Sequence, residues 1–202
     1  RKKKKSFYLK AIKHCVGKTK MSGRFYSLEG MVINRRNFGE ADRLITIFPK
    51  KQGKTILLAP GVRKITSRRG PKIEFFNLIN AEATRGKTWD ILTEAESKKT
   101  FPYLKKDLKR INAAYQLCEL TDRFIPEGEE NEAVFDLLLE SLTRLDEPIT
   151  FLNFDNLLFQ FKARLLIATG FWPKDAKITP EEIDRYIEKI IQGKIRSAKM
   201  KI

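Results

Sequence analysis

The chain has 202 residues, of which 42% are hydrophobic and 10% aromatic, and a formal net charge of +16. That apolar content can offset the ordering entropy of a core, which excludes a disordered chain, and no apolar run reaches the ~18 residues of a membrane span. Two cysteines far apart in sequence, Cys15 and Cys118, and a single histidine, His14, offer no ligand spacing, so no disulfide framework, metal site or cofactor is expected.

The charge is unevenly spread. Residues 1–23 carry nine Lys/Arg and no acid, residues 24–100 sixteen against eight, and residues 101–202 sixteen against seventeen. An excess confined to the first half points to a polyanionic partner, with a solubilising surface as the plainer alternative. Residues 1–23 are expected to form a flexible basic arm, with Met21 opening the folded part. Nothing at the start combines a basic patch with an apolar stretch and a cleavage site, so a cytoplasmic protein is expected.

From residue 24 to 100 the pattern is that of short strands. Five runs are expected: Phe25 to Arg35, Arg43 to Phe48, Thr55 to Ala59, Ile73 to Ala83 and Trp89 to Glu96. In the fourth, Ile73, Phe75, Ile79, Ala81 and Ala83 fall on one face; in the fifth, Trp89, Ile91 and Ala95 do so. Gly, Pro and Asn mark the breaks between runs. Five strands in so short a stretch suit a closed barrel without exposed edges, as in an OB-fold.

After Pro102 the period becomes helical. Leu104, Leu108, Ile111, Tyr115, Cys118 and Ile125 define a first helix that should stop near Pro126. Asn131 can cap a second, with Val134, Leu137, Leu138, Leu142 and Leu145 on its apolar face. A third should run over about residues 151–169, and Thr179-Pro180-Glu181-Glu182 offers a cap, an N1 proline and a capping-box glutamate for a fourth. The predicted fold is therefore α+β and multi-domain, a five-stranded OB-fold barrel at residues 24–100 followed by an α-helical domain at residues 101–202.

Eleven cations sit on strand ends and turns of the barrel: Arg35, Arg36, Arg43, Lys50, Lys51, Lys54, Arg63, Lys64, Arg68, Arg69 and Lys72. Together they could line a groove that grips phosphates with salt-dependent, sequence-tolerant affinity. Phe38, in the first turn, is the candidate for stacking an unpaired base, whereas Phe75, Phe76 and Trp89 are assigned to the core. Gly53-Lys54-Thr55 and Gly86-Lys87-Thr88 resemble the end of a phosphate-binding loop, but Phe48 and Ala81 stand where its first glycine belongs and strands follow, so both are turns. With His14 alone in the arm there is no nucleophile, base and orienter to assemble, so no catalysis and no small-molecule substrate are expected. An RNA-handling OB protein of the translation apparatus, a nuclease and an adaptor for acidic protein tails are the rival readings.

Three segments carry a family resemblance: EGMVINRRNFGEADRLITIFPKKQGK at 29–54, PGVRKITSRRG at 60–70 leading to FFNLINAEATRGKTWDILTEAE at 75–96, and FPYLKKDLKRINAAYQLCELTDRFIPEGEENEAVFDLLLESLTRLDE at 101–147. Over about residues 24–172 the chain resembles the bacterial DNA repair protein RecO family. The resemblance implies an OB-fold followed by a helical domain, binding of single- and double-stranded DNA, and annealing of complementary strands. It also implies a mediator role with RecR and the single-stranded-DNA-binding protein SSB, helping RecA replace SSB on DNA. Family members often carry a cysteine zinc module after the third helix; here Gly170-Phe171-Trp172-Pro173 runs on without cysteine. The family receives the acidic, apolar C-terminal tail of SSB on its helical domain, and Lys109, Arg110 and Arg123 are candidates for that contact by charge alone.

Overall fold

The computed structural model describes residues 24–148, 152–173 and 178–197. The expected basic arm, with His14 and Cys15, lies outside the described residues.

Five strands close into a barrel: β1 (Phe25–Phe38), β2 (Asp42–Pro49), β3 (Thr55–Ala59), β4 (Leu78–Thr84) and β5 (Asp90–Lys99), in the order β1-β2-β3-β5-β4. Every pairing is antiparallel except β3 with β5. The first half of β1 pairs with β4 and its second half with β2, and a register shift between Val32 and Asn34 lets the strand bend from one neighbour to the other. This is the five-stranded OB-fold barrel anticipated from the strand spacing.

The barrel interior is narrow and is filled accordingly. Small side chains, Ala59, Ala81, Ala83 and Ala95, alternate with Leu28, Val32, Ile45, Ile47, Leu57, Ile79 and Leu92. Two residues from the long β3–β4 loop, Val62 and Ile73, complete this core. The seam between β3 and β5 is the weakest, with only Leu57 opposite Asp90 and Leu58 opposite Ile91. Beyond it, Arg69 acts as a substitute strand: its guanidinium donates to the carbonyls of Leu92 (2.8 Å), Thr93 (3.1 Å) and Pro60 (2.8 Å).

Two details of the strand reading are corrected. The fourth run is not a strand from Ile73; pairing begins only at Leu78, and Phe76 adopts φ of 71°. Phe75 therefore leaves the face of Ile79 and packs its ring 4.9 Å from that of Tyr115 on the first helix. In β5, a shift between Glu82 and Ala83 in the pairing with β4 changes the alternation, so Leu92 rather than Ile91 enters the barrel with Ala95.

Four helices follow: α1 (Leu108–Phe124), α2 (Glu132–Asp146), α3 (Phe154–Ala168) and α4 (Pro180–Ile190). The first starts later than its periodicity suggests. Leu104–Lys106 form a separate 3-10 turn, because Asp107 is extended and its side chain caps the backbone N–H groups of Lys109 and Arg110. Asn131 and Thr179 cap α2 and α4 as expected, the latter with the full capping box of Glu182.

Barrel and helices share one hydrophobic core. Met31, Ile33, Phe48, Phe76 and Leu78 from the outside of the barrel join Leu117, Leu120, Leu138, Phe161 and Leu165 from the helices. A second joint links the β2–β3 turn to the α1–α2 loop. Lys54 N–H donates to Glu129 O (3.0 Å) and Gly128 N–H to Lys54 O (2.8 Å). The approach is so close that a Cβ on Gly53 would lie 2.3 Å from the Gly128 carbonyl oxygen.

Candidate nucleic-acid interface

Three loops meet at one end of the barrel: residues 39–41 between β1 and β2, the start of the loop 60–77 between β3 and β4, and residues 85–89 between β4 and β5. Arg63 fastens the second to the first, donating from its backbone to Ala41 O (2.9 Å) and from its side chain to Gly39 O (3.0 Å). Gly61 N–H adds a bond to the Asp42 carboxylate (2.8 Å). The third loop is held by Asp90, which accepts from Gly86 N–H (3.1 Å) and from the Tyr26 hydroxyl (2.6 Å). Burial, followed by the bond to Asp90, pushes the Tyr26 hydroxyl well above its usual range, so it stays protonated and keeps donating. Any Cβ on Gly86 would collide with the Trp89 carbonyl, so this turn requires glycine.

At this junction Phe38 and Trp89 meet edge to face, ring centroids 5.0 Å apart, with Phe38 38% exposed and Trp89 half-buried. In OB barrels these two loops flank the ligand-binding face. Trp89 does not belong to the core, as its place in the fifth run suggested; it precedes β5 and completes an aromatic pair with Phe38. The signal that could have found it is its position one residue after the Gly-Lys-Thr turn, where loop 85–89 must lie beside the first loop in any OB barrel.

The eleven candidate cations do not form one groove. Exposed Arg36, Arg63, Lys64 and Arg68 make no ion pair among the described residues, and Arg63, Lys64 and Arg68 share the loop that Arg63 ties to the aromatic end. Arg85 and Lys87, passed over in the sequence reading, are exposed on the third loop, with the Arg85 guanidinium 5.8 Å from the Tyr26 ring centroid.

The other members of the group have different partners. Lys54 is buried and its ammonium is bound to Asp122 (2.8 Å), so it presents no charge to a phosphate. Lys50 pairs with Glu132 (3.2 Å) and Asp136 (2.9 Å) of α2; these two carboxylates, Asp136 foremost, raise its affinity for a proton. Lys51 is exposed on the same turn, at the junction with the helices rather than among the aromatics. Arg35 pairs with Glu74, lies 5.0 Å over the Phe75 ring, and shares Glu74 with Arg43 (3.9 Å). Arg69 is spent on the β3–β5 seam. Lys72 borders a shallow concavity of about 570 Å³ whose rim carries Glu29, Glu82, Glu94 and Glu96. Three further carboxylates beside Glu29, which pairs with Lys98 (2.6 Å), make that outer face less favourable to a phosphate than the loop of Arg63, Lys64 and Arg68.

On the helical side, Lys109, Arg110 and Arg123 do not converge. Lys109 and Arg123 are separated by fourteen residues of one helix, about 21 Å along its axis. Arg110 donates to Leu145 O and Glu147 O at the end of α2, and Arg123 pairs with Glu119 (3.0 Å). Lys109 alone is exposed, at the rim of a concavity of about 410 Å³ walled by Leu152, Phe154 and Leu158 of the α3 start and Ala113 and Gln116 of α1.

Among the described residues no group of three or more His, Cys, Asp or Glu side chains is placed to hold a metal ion, and no helix is long and apolar enough to cross a membrane. Cys118 is buried, and burial raises its thiol far above the range in which a nucleophilic thiolate forms.

The barrel and the helices each match a known family description: residues 21–101 that of the recombination protein O N terminal, and residues 105–174 that of the recombination protein O C terminal. The chain belongs to the recombination protein O family. It is 34% identical over 148 residues to the DNA repair protein RecO of Symbiobacterium thermophilum, covering 73% of this chain and 58% of that one. Its identity with the protein of the same name from Gloeobacter violaceus is 40% over 125 residues, 62% of this chain and 48% of the relative. With that of Roseiflexus sp. it is 36% over 154 residues, 76% and 53%. The chain thus spans about half the length of the curated relatives it matches. The N-terminal match coincides with the barrel, and the C-terminal match takes in α1 to α3.

Proposed function

We propose that this chain is a non-enzymatic DNA-binding protein of recombinational repair that anneals complementary strands and acts as a mediator. The aromatic end of the barrel holds the DNA: Phe38 and Trp89 stack unpaired bases, while Arg36, Arg63, Lys64, Arg68 and Lys87 take the phosphates on either side. The observation that carries this reading is the Phe38–Trp89 pair beside Arg36, Arg63, Lys64 and Arg68, which make no ion pair among the described residues. Relatives named DNA repair protein RecO support the biological setting. In that setting the chain works with RecR and helps RecA replace SSB on single strands. The acidic, apolar C-terminal tail of SSB takes the concavity beside Lys109, where Leu152, Phe154 and Leu158 supply apolar wall and Asn112, Asn153 and Asp155 complete the lining.

The decisive experiment has two parts. Five phosphate contacts on a single strand imply a log–log salt slope of about −3.5, hence a loss of roughly a hundredfold in affinity between about 50 and about 200 mM salt. A flat response refutes charge-driven binding. Annealing of SSB-coated complementary strands should then be accelerated by the protein; tight DNA binding with no acceleration would leave a DNA-binding protein that is not an annealing mediator. Competition with an RNA oligonucleotide of the same sequence separates this reading from RNA handling.

A further inference from the structure

Ile65 is 105% exposed, so the described residues leave its side chain uncovered. Single exposed apolar residues are ordinary on protein surfaces. This one differs in where it is held. It follows Lys64 in a tight turn closed by Ser67 N–H on Lys64 O (2.9 Å), itself preceded by a turn closed by Lys64 N–H on Gly61 O (3.2 Å). Its neighbours in the loop are only cations and hydroxyls: Arg63, Lys64, Thr66, Ser67 and Arg68.

Both stems of the loop are anchored. On one side Arg63 is bonded to Gly39 O and Ala41 O; on the other Arg69 is bonded to three carbonyls at the β3–β5 seam. The tip is thus presented by an already ordered frame, and a β-branched side chain has little rotamer freedom left to lose on insertion. Two residues of chain separate Ile65 from Arg63, at most about 7 Å, and Arg63 touches the residue next to Phe38.

We propose that Ile65 is an apolar wedge that enters a base step of bound duplex DNA and unstacks it, with Lys64 and Arg68 on the flanking phosphates. The target class follows from the chemistry: an apolar slot between rows of anionic groups, which a base step provides. Apolar side chains of this size inserted between base pairs partly unstack and kink the duplex. A wedge beside a stacking pair gives the chain a means of opening a duplex end where Phe38 and Trp89 can receive the freed base. The inference rests on the DNA-binding reading of this end of the barrel.

The test uses the full chain at saturating concentration and a DNA hairpin carrying 2-aminopurine in the duplex, next to a single-strand junction. Binding of the unaltered protein is expected to raise the fluorescence as the base unstacks. I65S should abolish at least about four-fifths of that rise, and I65F, which restores an apolar wedge, should recover it. Because Ile65 is fully exposed among the described residues, I65S should keep the parent melting temperature, which reports that the fold is intact. The double variant K64A/R68A is read separately, as affinity against salt. If it leaves affinity and slope unchanged, the DNA-binding reading itself fails at this loop. If it weakens binding while I65S at saturation keeps the full fluorescence rise, the wedge alone is overturned. Unaltered fluorescence with lost capture of a protein partner also overturns it, assigning Ile65 to a protein contact.

Discussion

Lys54→Ala separates structural from nucleic-acid roles among the cations. Lys54 lies 6% exposed at the start of β3, and its ammonium reaches both the carboxylate and the main-chain carbonyl of Asp122. That carbonyl has no helical partner because the residue four positions on is Pro126, which lacks an N–H; the last helical bond runs from Ile125 N–H to Thr121 O. Lys54 therefore completes the end of α1 as well as pairing its carboxylate. The substitution removes a charge-assisted bond worth about 1.5–3 kcal/mol and strands a carbonyl at about 1–3 kcal/mol. Asp122 keeps its bond from Asn34 (2.9 Å), and its side chain is 24% exposed, so water softens the loss of the ion pair. A net destabilisation of about 3 kcal/mol follows, or a fall of roughly 6–12 °C in melting temperature for a chain of this size. The assay is urea unfolding followed by circular dichroism, with DNA affinity measured at matched salt where the variant remains folded. Affinity should change less than about twofold, since a neutralised cation releases no counterion. Unchanged stability with a tenfold drop in affinity would refute the reasoning.

Gly53→Ala places a Cβ against the backbone of Gly128, which has no flexible side chain to move aside, and should cost about 1–3 kcal/mol, read as a lower urea midpoint. Trp89→Ala should weaken single-strand binding by roughly 5- to 150-fold, from about 1–3 kcal/mol of stacking, while leaving the salt slope unchanged in a titration series; a change in slope instead of affinity would count against stacking. Glu119→Gln tests a pH dependence. Burial alone would raise the Glu119 pKa, but the bonds from Ser197 and from Arg196 N–H, with Arg123 alongside, outweigh it and hold the carboxyl below its usual value. Its contribution is then fully present above the unfolded carboxylate value of about 4.3 and is lost as pH falls through the lower folded value. The urea midpoints of parent and E119Q should therefore differ most near neutrality and converge in acid, and a constant gap from neutrality to acid would contradict the assignment.

The barrel was legible because its strands obey a two-residue period and its breaks carry turn residues, and the second and fourth helices because their caps are written in Asn131 and Thr179. The failures arise where a residue answers to tertiary structure. Phe75 loses its alternation because Phe76 turns the chain at positive φ, and Ile91 loses its place to Leu92 through a bulge, neither of which has a composition signature. At the site, Lys54 and Lys64 read alike in sequence. One is buried against a carbonyl orphaned by a proline seventy-two positions away, and the other is exposed and makes no ion pair among the described residues. Lys50, Arg35 and Arg69 are likewise committed to partners on elements distant in the chain. Charge counted along a chain records how many cations exist, and only the fold decides which remain available.

The core that joins the outside of the barrel to the helices also limits how this protein can be dissected. Met31, Ile33, Phe48, Phe76 and Leu78 would become an apolar plate on a barrel excised near residue 100, and such a plate promotes self-association. The proposed grip on DNA is consequently not a portable cassette. A truncation that aggregates would say nothing about nucleic-acid binding, and point substitutions within the whole chain are the informative way to take the interface apart.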